Sequence, residues 1–73
     1  MNAKELCLKI NTWLSAMYQE KEISLGELSM LAQTNKEAMK THNYQTLVNT
    51  MWKVWEENQS SYAKEILDLL YQQ

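Results

Sequence analysis

The sequence predicts an all-α fold: a small helical bundle of three to four helices, built as a single domain over residues 1–73. Three observations carry this expectation. The chain has no proline and one glycine, Gly26, so almost nothing in it interrupts a helix. Leu, Met, Ala, Glu, Lys and Gln are common and β-branched residues are sparse, a composition of high helix propensity. Apolar residues recur at i, i+3, i+4 and i+7, as they do in helices buried along one face.

The first helix is expected over about residues 3–20. Ala3, Leu6, Cys7, Ile10, Trp13, Leu14, Met17 and Tyr18 share one face when each residue advances by about 100°. Leu8 falls well outside that face. Glu5 and Lys9 form a favourable i, i+4 pair on the wet side.

The clearest boundary follows. Ser24-Leu25-Gly26-Glu27 matches an S-x-x-E capping box, in which Ser24 and Glu27 satisfy each other's backbone amides. Ile23 and Leu28 occupy the positions of a hydrophobic staple. A second helix therefore starts at Leu25 and carries Leu28, Leu31 and Ala32 inward, with Met30 off that face. In the segment QTNKEAMKTHN, Thr34 or Asn35 reads as a further cap, with Glu37 completing a T-x-x-E box on Thr34. Ala38 and Met39 then make a short turn, and a bend is expected near residues 41–43.

Asn43 is the expected N-cap of the next helix, over about residues 44–57. Tyr44, Leu47, Val48, Met51 and Trp55 form its stripe, flanked by Trp52 and Val54. On this phasing Trp55 belongs in the core and Trp52 at its edge. The segment ENQSS then interrupts, with Ser60 or Ser61 as cap, and the last helix holds Tyr62, Ala63, Ile66, Leu67, Leu69 and Leu70. Two readings compete here. Val48, Trp55, Tyr62 and Leu69 recur every seven residues across the break, so residues 44–71 also read as one long helix. That helix would be about 40 Å long, which requires a dimer; the broken version permits a monomeric bundle.

Composition bounds the function. A domain this small buries only about 60% of its unfolded surface, so it needs dense packing or a partner. One cysteine, Cys7, excludes an intrachain disulfide, and one histidine, His42, leaves too few ligands for a Cys/His metal site. No metal and no cofactor is expected. A lone cysteine suits a reducing compartment. The N-terminal stretch carries Lys4, Glu5 and Lys9 among its apolar residues, which is not a signal-peptide pattern. No apolar run approaches the ~18 residues of a membrane span. The expectation is a soluble cytoplasmic protein without a membrane partner. The net charge of −2 names no electrostatic partner, and all seven basic residues are lysine. Arginine is the preferred reader of phosphate and guanine edges, so its absence argues against nucleic acid.

No catalytic residue is expected. Glu20 and Glu22, and Glu56 and Glu57, are close in sequence but point in different directions on a helix. Cys7 sits mid-stripe, where a small buried hydrophobe belongs, and His42 falls in the expected bend. The chain does carry apolar residues beyond what its core faces need. Leu8, Met30, Met39 and Tyr71 lie off the main faces and Trp52 and Leu67 on flanks. Trp, Tyr and Met are enriched at interface cores. The expected function is therefore non-enzymatic protein–protein interaction, as a homodimeric regulator, adaptor or inhibitor. The expected partner-binding residues are Trp52, Leu8, Met30, Met39 and Tyr71.

The alternative is DNA binding. Residues 24–43 resemble a helix-turn-helix: Leu28 and Ala32 match packing positions of its first helix and Met39 one of its second. That resemblance implies a transcriptional regulator whose Lys36, Lys40 and His42 meet phosphates. The segment departs from the motif at three places. Gln33-Thr34 stand where glycine and an aliphatic residue are usual, His42 replaces a late apolar anchor, and Ser29 stands in place of alanine.

Overall fold

Helices α1 (Ala3–Gln19), α2 (Leu25–Thr41), α3 (Gln45–Asn58) and α4 (Ser61–Tyr71) make up the computed structural model, which describes all of residues 1–73. There are no strands. The helices close a ring. α1 packs on α2, α2 on α3, α3 on α4, and α4 returns to α1, while the two diagonal pairs do not approach at the backbone. A bundle of helices around one core is thus the fold.

The core forms where the four inner stripes meet. Leu6, Ile10, Leu14 and Met17 come from α1, Leu31 from α2, Leu47, Met51 and Val54 from α3, and Ala63, Ile66 and Leu67 from α4. Ile23 joins them from the first turn. Burying each large side chain contributes about 1.5–3 kcal/mol relative to exposure. Leu67, expected on a flank, is 2% exposed.

Local sequence explains most of the helix ends. Asn2 caps α1 by accepting from the Glu5 amide at 2.8 Å. The capping box of α2 forms in full: the Ser24 amide donates to Glu27 Oε1 at 2.8 Å, and the Glu27 amide donates to Ser24 Oγ at 3.1 Å. Ile23 is buried and Leu28 packs against the core, which completes the staple. Ser60 caps α4 by accepting from the Ala63 amide at 3.2 Å.

The second helix departs from expectation. α2 runs unbroken through residues 33–35, so neither Thr34 nor Asn35 caps a new helix. Thr34 donates instead to the Met30 carbonyl at 2.9 Å, the back-bond of a serine or threonine inside a helix. Asn35 is fully buried and turned toward α1. The helix-turn-helix therefore loses its turn: Gln33-Thr34 lie in mid-helix, and residues 24–43 hold one long helix rather than two.

α3 is rotated relative to the expected stripe. Its buried line is Leu47, Met51 and Val54, with Tyr44, Val48 and Trp55 half-buried beside it. The centre lies about 45° from the one predicted, because Val54 turns inward and Trp55 moves to the flank. Asn43 sits one residue ahead of the N-cap, where its Oδ1 accepts from the Gln45 amide at 3.0 Å.

The chain does break between α3 and α4. Gln59 takes the left-handed conformation at φ 52° and Ser60 begins a new helix. Tertiary bonds hold this corner. Asn58 Nδ2 donates to the Glu22 carbonyl at 3.2 Å, and the 1%-exposed Ser60 hydroxyl donates to the Glu22 carboxylate. The continuous helix over residues 44–71 is not formed. Each connection contains one left-handed residue, Lys21, His42 and Gln59, and none is glycine.

Candidate functional site

The five residues expected to bind a partner do not form one surface. Helical phase and contacts divide them among three faces of the ring. Leu8 of α1 and Met39 of α2 line the same groove between those helices. Trp52 of α3 and Tyr71 of α4 meet on the opposite face, where Trp52 Nε1 donates to the Tyr71 hydroxyl at 2.9 Å. Met30 lies on the α2 side that looks toward α3 and joins neither group. Leu8, Met30 and Tyr71 are about 60% exposed and Trp52 is 41% exposed, while Met39 is half-buried.

The α3/α4 surface centres on aromatic rings. Trp55 and Val48 flank Trp52 as half-buried members of the same helix side. Lys64 of α4 stands over the Trp55 ring, 6.0 Å from its centroid, and lies 3.9 Å from Asp68 one turn on. Glu56 follows Trp52 by one turn. Both signs of charge thus surround the rings.

The α1/α2 surface is concave. The groove has a volume of about 470 Å³. Cys7, Leu8, Ala32 and Met39 supply its apolar walls, and the exposed Lys4 and Lys36 stand at its edge. None of the residues lining it is acidic. Beneath it, Asn35 Nδ2 donates to the Cys7 carbonyl at 3.0 Å and to Asn11 Oδ1 at 2.9 Å, with Cys7 Sγ at 3.5 Å. This cross-helix bridge was hidden in the sequence, where an asparagine four residues short of Met39 reads as a cap. Leu25, 63% exposed, extends the apolar line along α2 beyond the groove. Its place at the first helical position masked it as part of the box.

Of the residues placed for phosphate contact, Lys36 edges this groove and Lys40 lies one turn on, in the last turn of α2. His42 is exposed at φ 57° just past that helix end. The turn and second helix through which a helix-turn-helix would present these residues are not formed.

No three of the His, Cys, Asp and Glu side chains converge as a metal site would require. Burial pushes the Tyr44 hydroxyl above its ordinary value of 10.0, and the neighbouring Cys7 thiol adds to the rise. No helix is long and apolar enough to cross a membrane. Compared with protein-family models, with curated proteins and with solved structures, the chain matches none.

Proposed function

We propose that this is a small, non-enzymatic cytoplasmic protein that acts through protein–protein interaction, as a homodimeric regulator, adaptor or inhibitor. The hydrogen bond between Trp52 Nε1 and the Tyr71 hydroxyl at 2.9 Å carries this reading. Two aromatic side chains on the outer surface hold each other in place. The single polar donor of the indole is already satisfied, so a covering partner strands no N–H group. Two χ angles per ring, fixed in advance, also reduce the entropy lost on association. Such rings are the usual anchors of interface cores.

The charges around them favour a second copy. A two-fold interface places the same patch on both sides, so it must complement itself. Glu56, Lys64 and Asp68 bring both signs to this surface, which meets that requirement.

Light scattering and sedimentation at two protein concentrations test the proposal. The expected result is a mass that rises toward twice the 8.6 kDa chain as concentration increases. Trp52→Gln should hold the mass at the monomer value with helicity retained. A wild-type mass that stays monomeric at both concentrations sinks the homodimer, and an unchanged mass in the variant removes Trp52 from it.

A further inference from the structure

We propose that the groove between α1 and α2 binds an amphipathic helix of another protein, one whose apolar ridge is flanked by carboxylates. It lies on the opposite side of the ring from Trp52 and does not depend on self-association there.

The shape fits a helix. On α2, Ala32, Lys36 and Met39 follow one side of the helix, and with Ser29 the lined length is roughly 15 Å. That is roughly three turns of a bound helix, enough to seat residues at i, i+4 and i+7. A volume of about 470 Å³ lies within the range of formed binding clefts. Leu8 is 59% exposed on the α1 side, which leaves a large aliphatic surface in contact with water until something covers it.

The charges identify the occupant. Lys4 stands on α1 and Lys36 on α2, and no acidic residue lines the groove. A second copy docked face to face would bring both lysine pairs into one seam whose lining holds no carboxylate, with Glu37 at the rim accepting from Gln33 at 3.0 Å; that like-charge pairing costs binding energy. A partner helix carrying Glu or Asp beside its apolar ridge meets the lysines with opposite charge. Its apolar residues then rest on Leu8, Ala32 and Met39.

The test uses the whole chain, labelled with ¹⁵N, and two designed helical peptides. Both carry the same leucine ridge, flanked in one by glutamates and in the other by lysines. The glutamate peptide should shift the amides of Leu8, Ala32, Lys36 and Met39 saturably. Its affinity should fall about tenfold in Lys4→Glu/Lys36→Glu, a change at two exposed positions that preserves the fold. Trp52→Gln should leave that affinity intact, which separates this groove from the self-association surface. The proposal is overturned by the absence of saturable shifts, by equal binding of the two peptides, or by shifts centred on Trp52 and Tyr71.

Discussion

Asn35 on α2 donates through its Nδ2 to the backbone carbonyl of Cys7 on α1, 3.0 Å away and out of reach of solvent. The same amide bonds Asn11 Oδ1 at 2.9 Å, while its own Oδ1 is buried without a partner. A buried side chain of this kind fixes how the two helices align, because sliding either one strands the amide. The unmatched oxygen works against stability at the same site.

Asn35→Ala is expected to destabilise the fold by about 2–3 kcal/mol, from the lost bonds and the space left behind. Asn35→Leu should cost less, since it fills the volume and removes the unmatched oxygen together with the donor. Urea unfolding at fixed protein concentration checks both. Equal losses in the two variants would show that the hydrogen bonds of residue 35 account for the cost and its volume does not.

Glycine stands where it is not needed and is missing where it would help. Gly26 lies in the first turn of α2, where an added Cβ meets only Ser24 Oγ at 3.9 Å. Gly26→Ala should stabilise by about 0.5–1 kcal/mol through helix propensity and a restricted unfolded chain. His42, at φ 57°, holds a conformation that favours glycine. His42→Gly should add about 0.5–1 kcal/mol by relieving the left-handed backbone. The positions share no contacts, so thermal unfolding of the double variant should show the sum.

Acid should loosen the start of α2. The hydrogen bond from the Ser24 amide, then the one shared with the Ser24 hydroxyl, holds the Glu27 carboxyl below its ordinary value of 4.5. Lys53 adds a smaller attraction, against a small opposing effect of burial. The unfolded chain therefore binds this proton more readily than the folded one. Stability from Glu27 is fully present above about pH 4.5 and is lost as pH falls through the folded-state value. Melting temperature followed from pH 6 down to pH 3 should fall more steeply for wild type than for Glu27→Gln. Parallel curves would show that the carboxylate makes no pH-dependent contribution.

The parts of the fold that were legible in the sequence are those decided by neighbours along the chain. Ser24 and Glu27, three residues apart, announce α2, and the spacing of Leu6, Ile10, Leu14 and Met17 announces the inner face of α1. What was hidden depends on a distant segment. Thr34 and Asn35 have the chemistry of caps, and it takes the Cys7 carbonyl and Asn11 Oδ1 on α1 to make a buried asparagine acceptable in mid-helix. The recurrence of Val48, Trp55, Tyr62 and Leu69 every seven residues left the break before α4 undecided. Contact with Glu22, which stands between α1 and α2, selects the broken form. At the candidate surfaces, the exposure of Leu8 and Trp52 followed from helical phase, and the separation of the five apolar residues did not. Which of them meet depends on the order of helices around the ring.

That order also shapes how the chain can fold. Three of the four seams join helices consecutive in sequence, through connections at residues 20–24, 42–44 and 59–60. Each such hairpin closes only a short loop and pays little entropy for it. The α1–α4 seam alone must bring together the two ends of the chain. Low contact order of this kind belongs to folding in microseconds to milliseconds, with the ring shut by the meeting of its first and last helices.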